Sequence, residues 1–310
     1  MPDCTVMTWN VENLFPPGSA SGPTTEAVYR RKLRHLAKTV TEAGPDVIAL
    51  QEIGHVSCLG DLQHALGGRY PHQAISERPD NRGIRVAILA RFPLRDVRQL
   101  IAFTEDALPR IPTADGSTVR SMGRGALHAV VDVHGRPLRI VTAHFKSKLL
   151  SYPDGRRFPL DEHERARGAG FALLRRTAES VALRVHLNAI MLAEPLPTVL
   201  AGDFNDEAGA ITTALLQGPP DADMLRPDQG DAVRLNNLAD WLPRKHAFSR
   251  TFRGEPELID HVLLSQDLLR QLRQADAIVD GIRSISEDTQ SRRDAVRPDH
   301  APVLARFTLP

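Results

Sequence analysis

The sequence has 310 residues, a formal net charge of +1, 42% hydrophobic residues and 25% charged residues. These values are those of an ordinary soluble globular protein, and the near-zero charge excludes a field strong enough to indicate a polyanionic partner by itself. Cys4 and Cys58 stand far apart without a CxxC spacing, which indicates neither a disulfide framework nor a zinc site.

The N-terminal residues run almost directly into the first predicted strand, without a basic segment followed by an apolar run. No other stretch has enough consecutive apolar residues to span a membrane. We therefore expect a cytoplasmic protein without a membrane anchor, although a secreted mature form fits the same sequence. Nothing in the sequence indicates a protein partner, and a monomer is consistent with it.

The pattern of apolar residues, glycines and prolines divides the chain into alternating strands and helices. Strands are predicted over residues 5–12, 46–52, 85–90, 126–133, 138–144, 199–202, 258–265 and 301–309. Helices are predicted over residues 29–40, 57–66, 162–192, 210–216 and 266–273. Loops are predicted over residues 16–25, 103–124, 148–161 and 218–237, and a hairpin turn over residues 134–137.

Two of the predicted helices have an apolar face at helical spacing. The first helix ends before Gly44 and Pro45, and its apolar face consists of Tyr29, Leu33, Leu36 and Val40. The longest helix is predicted to bury the stripe formed by Phe171, Leu174, Ala178, Val181, Val185 and Ala189.

The order of the predicted elements favours a mixed α/β fold. Strands and helices interleave, while several strands are joined by short hairpins, which a purely parallel sheet does not allow. Polar motifs lie at both ends and in the middle of the chain, so a single site requires one domain over residues 1–310. The sequence contains no Gly-rich phosphate loop, which argues against a P-loop or Rossmann enzyme.

One short segment combines a buried strand with polar groups suited to catalysis. The apolar run 199–201 reaches Gly202, where another backbone or a ligand can come close, and is followed by Asp203 and Asn205. Asp203 can take a proton from water while Asn205 holds that water in line. Taken alone, the segment is explained better by a turn that prefers Asp and Asn.

The same pattern recurs along the chain, where acids, amides and histidines stand at the ends or starts of other predicted strands. These residues are Asn10, Glu12, Glu52, His144, Asp260, Asp299 and His300. Convergent polar groups carried on strand ends are typical of one binding or catalytic site.

Six short segments carry a resemblance to a known family: WNVE, LQE, TAHFKS, GDFND, IDHVLLS and PDHAPV. In this order they resemble the motifs of the endonuclease/exonuclease/phosphatase superfamily, the deoxyribonuclease I-like hydrolases. The resemblance extends from Thr8 to Val303, and six motifs in order are far more specific than any single one. It implies two mixed sheets packed face to face with helices on the outside, a four-layer sandwich.

The acids and amides of these motifs suit a hard metal ion. Mg²⁺ prefers carboxylate and amide oxygens and keeps several water ligands. We therefore expect Mg²⁺ or Mn²⁺ as cofactor, with Glu52 and Asn10 as ligands and Glu12 and Asp299 as further candidates. The resemblance likewise implies that Glu52 carries the metal with Asn10 beside it. Many nucleases of the family carry Asp at the position of Glu12, which puts its metal role in doubt.

The resemblance also implies roles for the other motif residues. Asp203 would activate the attacking water and Asn205 would orient it. His144 and His300 would donate hydrogen bonds to the phosphate, and Asp260 would hold His300 in the correct tautomer. Position 144 is His, as in deoxyribonuclease I and the sphingomyelinases, rather than the Tyr of the apurinic endonucleases.

Basic residues near the motifs are candidates for a substrate-binding rim. Lys146 lies two residues after His144, and Arg120 and Arg124 lead into a predicted strand. Arg165 lies in the first turns of the longest helix, where it could reach a phosphate. Residues that could extend the rim, or be ordinary surface residues, are Lys148, Arg156 and Arg157.

These features leave three functions to compare. The first is a nuclease or other metal-dependent phosphodiesterase, and the second is a phosphatase or lipid phosphodiesterase for an inositol phosphate or sphingomyelin head group. The third, a binding scaffold without activity, does not explain a complete water-activating set. An aromatic content of 5% argues against a nucleic-acid groove with stacking platforms. No exposed apolar segment is apparent for a lipid. A local basic rim is sufficient for a nuclease, so we predict a nucleic-acid substrate.

Overall fold

The computed structural model describes residues 1–103, 111–112, 116–150, 152, 156, 158–220, 226–286 and 292–310. Numbered in chain order, the strands of the first half are β1 (Asp3–Leu14), β2 (Val47–Ile53), β3 (His72–Ile75), β4 (Arg85–Ala90), β5 (Leu94–Ala102), β6 (Ile111–Pro112), β7 (Thr118–Val119), β8 (Ser121–Val133) and β9 (Arg136–His144). The later strands are β10 (Thr198–Asp203), β11 (Leu235–Asn237), β12 (Arg250–Phe252), β13 (Glu255–Glu257), β14 (Asp260–Ser265), β15 (Leu272–Ala277) and β16 (Val303–Thr308).

The α-helices are α1 (Glu26–Ala43), α2 (Val56–Ala65), α3 (Glu162–Ala193), α4 (Ile211–Ala214) and α5 (Gln266–Leu269). Short 3₁₀ helices cover Leu215–Gln217, Gln229–Ala232, Leu238–Trp241 and Arg244–His246. Of the helices formed by the described residues, none combines the length and apolar character that crossing a bilayer requires.

Two six-stranded mixed sheets form the centre of the protein. The first sheet has the order β15-β16-β1-β2-β4-β3 and the second β11-β14-β10-β9-β8-β5. Each sheet contains one parallel pair, β1 with β2 and β9 with β10, and its other neighbours are antiparallel. The predicted mixed α/β class is therefore confirmed.

The apolar residues separate into three layers that define a four-layer sandwich. Between the sheets, side chains such as Val6 and Ile88 of the first pack against Ala129 and Val199 of the second. On the outer face of the first sheet, Trp9 and Leu50 join a cluster that α1 and α2 complete. On the outer face of the second sheet, Val141 and Leu200 join a cluster with Leu183 and Leu187 of α3. The predicted arrangement of face-to-face sheets with helices outside is confirmed.

One buried polar contact joins the two sheets close to the functional residues. Gln51, on β2, donates a hydrogen bond from Nε2 to Thr142 Oγ1 on β9, over 3.1 Å. A second bond from the same nitrogen reaches Thr8 Oγ1 on β1, also at 3.1 Å. Because a buried amide must be satisfied, these bonds favour one relative position of the two central parallel pairs.

The end of α1 at Gly44 is as predicted, whereas its start at Glu26, capped by Thr25, was not predicted. Thr25 has extended backbone and its hydroxyl accepts a hydrogen bond from the Val28 amide, which caps the helix start. Gly44 follows the last turn with a left-handed φ of 61°, a conformation that glycine adopts without strain. The predicted strand 85–90 and the hairpin between β8 and β9 are also confirmed.

Three predicted elements require correction. The predicted stripe of α3 is correct at Ala178, which is buried, but wrong at Leu174 and Val185, which are 47% and 38% exposed. The buried face also includes Ala172, Arg176 and Glu179. The predicted helix 266–273 ends at Leu269, because the following residues form edge strand β15 against β16. The predicted loop 103–124 gives way to β8 at residue 121 and includes β6 and β7. Residues 104–110 and 113–115 of that loop lie outside the described residues.

Candidate active site

Polar residues from both sheets meet at one edge of the sandwich. The carboxyl ends of β1, β2, β9 and β10 point to this edge, and the antiparallel strands β14 and β16 start there. In the strand register Asp203 lies opposite His144 on one side and Asp260 on the other. Gly202 permits this close packing, because a Cβ at that position would lie 2.1 Å from Ala143 O.

Asp203 contacts Asn10, His144 and Asn205 through its carboxylate. Its side chain is buried, and Oδ2 accepts a hydrogen bond from Asn10 Nδ2 over 2.9 Å and lies 3.3 Å from His144 Nε2. The other oxygen, Oδ1, accepts from the Asn205 amide over 3.0 Å. The Asn205 side chain is held in turn by the Phe145 carbonyl, at 3.1 Å from Nδ2.

Burial changes the proton affinity of Asp203 and His144 in ways that suit proton transfer. Burial, together with the Asp260 carboxylate, raises the pKa of Asp203 to about 7. Burial, together with the positive charges of Arg124 and His300, holds the pKa of His144 well below its usual value. At neutral pH His144 is therefore an uncharged imidazole, and Asp203 is close to its midpoint.

Asp260 and His300 form a buried pair next to Asp203. His300 Nδ1 lies 2.6 Å from Asp260 Oδ2 and 4.0 Å from Asp203 Oδ2. Burial lowers the pKa of His300, but Asp260 and Asp299 raise it more strongly, so that the net pKa is about 10. His300 is therefore a charged imidazolium at neutral pH, and its carbonyl accepts a hydrogen bond from Trp9 Nε1 over 2.9 Å.

The predicted metal ligands lie on the neighbouring strand ends of the first sheet. Glu52 is half-buried, and its Oε2 accepts a hydrogen bond from the Asn13 amide over 2.8 Å. Asn10 Oδ1 accepts from the Glu12 amide over 2.9 Å, while its Nδ2 is bound to Asp203. Asn10 thus connects the strand ends of the first sheet to Asp203 of the second.

Glu12 has a different environment from Glu52. Its carboxylate forms two hydrogen bonds with Arg292, at 2.6 and 2.9 Å, and a third with the Asp299 amide at 3.0 Å. Lys32 is buried below it and donates to the Glu12 carbonyl. Glu12 therefore links the segment before His300 to β1.

The donor set of the site fits a hard cation. Among the described residues, one group of three acid, histidine or cysteine side chains has ligating atoms within 4.8 Å of one another: Asp203, Asp260 and His300. Asp260 Oδ1 is buried and has no hydrogen-bond partner in the described part of the chain, so this oxygen can accept a cation or a donor. A protonated His300, bound to Asp260, has no lone pair to offer, so oxygen ligands remain the chemically suitable ones.

The backbone around these strand ends adopts conformations that side chains disfavour. Glu12, Asn13, Glu52 and Asn205 have left-handed φ values of 47°, 52°, 65° and 55°. Non-glycine residues in this region are uncommon and tend to occur at functional sites. The strain lies at four positions on the same edge that carries the polar residues.

The predicted rim residues divide into two groups. Arg124 and Lys146 lie beside the site: Arg124 pairs with Asp80 at 3.0 Å and donates to the Phe145 carbonyl at 2.9 Å. Burial, with the charges of Arg124 and Arg175, lowers the pKa of Lys146 to about 8.

The other predicted rim residues lie on the surface or pair with neighbours. Arg120 is exposed, and Arg165 is half-exposed and pairs with Glu162 at 2.5 Å. Lys148 lies 3.5 Å from Asp206 and Arg156 pairs with Glu164 at 2.8 Å. Arg157 lies outside the described residues.

Two charged residues of α3 that were not predicted from the sequence bind the backbone next to the site, at Gly123 and Lys146. Glu179 is buried and accepts hydrogen bonds from the amides of Gly123, at 3.0 Å, and Lys146, at 2.6 Å. Arg176 pairs with Asp206 at 2.9 Å and donates to the Lys146 carbonyl at 3.1 Å. A signal exists in the sequence, since the small residues Gly168 and Ala172 recur at helical spacing and lead onto Arg176.

The segment after β9 also exposes apolar side chains. Leu149, Phe158 and Leu160 are 60%, 79% and 78% exposed. The expectation from the sequence that no apolar segment is exposed is therefore wrong. These side chains follow closely after His144 in the chain, so they bear on the choice of substrate.

This fold is that of the endonuclease/exonuclease/phosphatase superfamily, a class of phosphoesterases. The chain belongs to the Endonuclease/Exonuclease/phosphatase family, whose family model matches residues 7–282. Members of this family are hydrolases acting on phosphoester bonds and are generally dependent on a divalent metal. No curated protein matches the sequence closely enough to be reported as a relative.

Solved structures with low sequence identity share the fold. An endonuclease/exonuclease/phosphatase from Bacteroides vulgatus matches with a TM-score of 0.62 and 13% identity, over 100% of both chains. The catalytic domain of human Nocturnin, with a bound sulfate anion, gives 0.56 and 16%, over 99% of this chain and 95% of that one. TDP2 from C. elegans gives 0.56 and 15%, over 98% and 75%.

Proposed function

We propose that the protein is a metal-dependent phosphodiesterase that cleaves nucleic acid by in-line attack of a water activated by Asp203. The observation that supports this most directly is the buried Asp203, held by Asn10 and Asn205 with a pKa of about 7. A general base with a pKa near the working pH is deprotonated in a large fraction of the molecules and is still basic enough to take a proton from water. A scaffold that only binds a ligand has no need of such a group.

The surrounding residues have complementary roles in this proposal. Asn205 orients the attacking water beside Asp203. The His300 imidazolium, fixed by Asp260, donates a hydrogen bond to a phosphoryl oxygen and balances the charge that develops there. His144 is neutral and donates from Nε2, which lies 3.3 Å from Asp203, towards the same region.

For the cofactor, we propose Mg²⁺ or Mn²⁺ held by Glu52 and Asn10, which offer the carboxylate and amide oxygens that hard cations prefer. When bound, the ion supplies positive charge against the phosphoryl oxygens. The engagement of Glu12 by Arg292 supports a positioning role for this residue rather than direct ligation. Asp299 lies 3.7 Å from the Arg250 guanidinium, and we propose that it lies at the edge of the site and does not bind the metal directly.

The proposal is tested by a screen of phosphate esters with the purified protein. With Mg²⁺ or Mn²⁺ present, we expect hydrolysis of single-stranded DNA or RNA and of bis(4-nitrophenyl) phosphate, measured by gel and by absorbance. The monoester 4-nitrophenyl phosphate should react far more slowly. Hydrolysis of the monoester alone would show a phosphatase and would contradict the proposal.

A lipid phosphodiesterase is the second candidate, because Leu149, Phe158 and Leu160 are exposed after β9. Exposed apolar side chains suit a substrate at a lipid surface. Sphingomyelin and phosphoinositide vesicles therefore belong in the same screen. Faster hydrolysis of these lipids than of oligonucleotides would favour this candidate.

We also predict a strict requirement for a divalent cation. Excess chelator should abolish hydrolysis of bis(4-nitrophenyl) phosphate, and Mg²⁺ or Mn²⁺ should restore it. Glu52→Gln should weaken metal binding, measured by calorimetry, because an amide lacks the negative charge of a carboxylate. Glu26→Gln on α1, which removes an exposed carboxylate from a helix end, is the matched control. Full activity in excess chelator would refute the metal assignment.

A further inference from the structure

A two-stranded hairpin formed by β12 and β13 adjoins the active site. Its turn consists of Arg253 and Gly254, both with positive φ, of 51° and 89°. Tight two-residue turns between antiparallel strands require such conformations. The hairpin has no place in the chemistry described above, and it presents an unusual set of side chains.

The base of the hairpin is fixed directly to the catalytic strands. Ser249 is buried, and its hydroxyl accepts hydrogen bonds from the amides of Ile259 and Asp260, at 3.2 and 3.1 Å. Its carbonyl accepts from the Ala301 amide at 2.6 Å, and the next residue, Arg250, forms a backbone bridge with His300. The position of the hairpin is therefore coupled to the Asp260–His300 pair.

The tip of the hairpin is held as well. The Gly254 amide donates to Ser284 Oγ over 2.7 Å, and the Arg253 amide donates to the Ile285 carbonyl over 2.8 Å. The Ile285 amide in turn donates to the Thr251 carbonyl over 3.0 Å. These bonds fix the backbone, so that the side chains at the tip are presented in a defined place.

Two guanidinium groups lie over one aromatic ring of this hairpin. The Arg250 guanidinium carbon lies 5.0 Å from the centroid of Phe252, and that of Arg253 lies 5.2 Å from it. Stacking uses the face of a guanidinium and leaves its N–H groups directed outward in the plane. Together the three side chains form a patch that we call the Arg–Phe–Arg surface, and the cross-strand partners of Arg250 and Phe252 are the acidic residues Glu257 and Glu255.

This surface leads from the active site to solvent. At its inner end, Arg250 lies 3.7 Å from both Asp299 and Glu257, and its buried Nε has no hydrogen-bond partner among the described residues. At its outer end Arg253 is exposed, with Phe252 half-buried between. Arg253 is therefore the more accessible guanidinium, whereas Arg250 lies between two carboxylates beside the His300 backbone.

We propose that the Arg–Phe–Arg surface binds the nucleotide next to the cleaved phosphate and selects single-stranded nucleic acid as the substrate. The inference rests on the proposed diesterase function and specifies its substrate class. The guanidinium N–H groups suit a phosphate oxygen, and the flat faces suit a base. A base within a duplex is stacked on both faces by its neighbours, so only an unpaired base is free to stack on the protein.

The test uses two hairpin variants. Phe252→Leu keeps an apolar side chain but removes the ring, and Arg253→Asn removes the charge while suiting the left-handed backbone. The control is Arg30→Ala on α1, which removes one exposed arginine whose side chain is 68% exposed. The substrates are a labelled single-stranded decanucleotide, the corresponding duplex and bis(4-nitrophenyl) phosphate.

We expect each hairpin variant to lower kcat/KM for the decanucleotide, relative to that for bis(4-nitrophenyl) phosphate, by about 5- to 100-fold, the effect of one lost stacked base. Arg253→Asn should also reduce the salt dependence of decanucleotide binding, with the logarithmic slope falling by about 0.7 for one lost phosphate contact. Binding is measured by anisotropy in the Asp203→Asn background to prevent cleavage. Arg30→Ala should leave all these quantities unchanged.

The outcomes separate this inference from the proposed function. If the decanucleotide and bis(4-nitrophenyl) phosphate lose kcat/KM in parallel, the hairpin only supports the active site and the inference is wrong. It is also wrong if the duplex is cleaved as fast as the single strand and responds equally to the variants. If the wild-type protein hydrolyses lipids or monoesters but neither the oligonucleotides nor bis(4-nitrophenyl) phosphate, the proposed function itself fails.

Discussion

Asp203→Asn is expected to lower kcat for diester hydrolysis by about 10²- to 10⁴-fold, the usual effect of removing a general base. Substrate binding should persist, because the amide keeps the shape of the carboxylate and its place beside Asn10. Rates are measured with bis(4-nitrophenyl) phosphate under saturating metal, and binding with a labelled oligonucleotide. A turnover close to that of the wild type would show that Asp203 is a turn residue without a catalytic role.

Thermal unfolding provides the control for this variant. The folded pKa of Asp203, about 7, lies above its ordinary value of 3.8. Ionisation of this buried group therefore destabilises the fold, and the penalty grows as pH rises from about 4 to about 7. Asp203→Asn removes the penalty, so we expect an unfolding temperature at pH 8 at or above that of the wild type. A lower one would mean that the loss of activity reflects damage to the fold.

His300→Ala is expected to abolish most of the activity, and Asp260→Asn should shift the basic limb of the rate profile to lower pH. The reason is that Asp260 helps raise the pKa of His300 to about 10, so the imidazolium persists through neutral pH. The Asp260→Asn, His300→Ala double variant should lose little more activity than His300→Ala alone, since residues that act as a unit are strongly non-additive. The measurement is kcat against pH for all four proteins.

The same pair makes a prediction about stability with a defined sign. The folded pKa of His300 lies above its unfolded value of about 6.5. Its pairing therefore stabilises the protein fully below about pH 6.5, and this contribution is lost as pH rises through the folded pKa of about 10. The control is His246→Ala, which disrupts a surface pair of the same length, 2.6 Å to Asp276, away from the site. For the activity of the Asp260→Asn, His300→Ala double variant, a loss of kcat equal to the product of the two single losses would show that Asp260 and His300 act independently.

Local signals in the sequence were sufficient for much of the framework. The Thr25 cap and Gly44 delimit α1 because they satisfy backbone groups within a few residues. The face of α3 could not be found from its apolar residues, since Arg176 and Glu179 replace apolar side chains on the buried side. Their burial depends on partners such as Asp206 and the Lys146 amide, which only the tertiary fold brings close.

In the active site, too, some features follow from local sequence and others depend on the tertiary fold. The sequence placed polar groups on strand ends, and the fold brings Asn10, Asp203, His144, Asp260 and His300 together as expected. The partner of Glu12 could not be predicted, because Arg292 lies 280 positions away in the chain. The support given by the hairpin depends on a bridge between positions 250 and 300, which no local pattern encodes.

The left-handed backbone at the site edge bears on how this protein would respond to selection. Glu52 and Asn205 hold φ values of 65° and 55°, which glycine would adopt with less strain. Glycine at either position would relieve this strain but would also remove a hydrogen bond, the one that Glu52 accepts from the Asn13 amide or the one that Asn205 donates to the Phe145 carbonyl. Under the proposed function, the carboxylate or the carboxamide needed for turnover would be lost in the same step, so we expect stability and activity to be in conflict at these two positions.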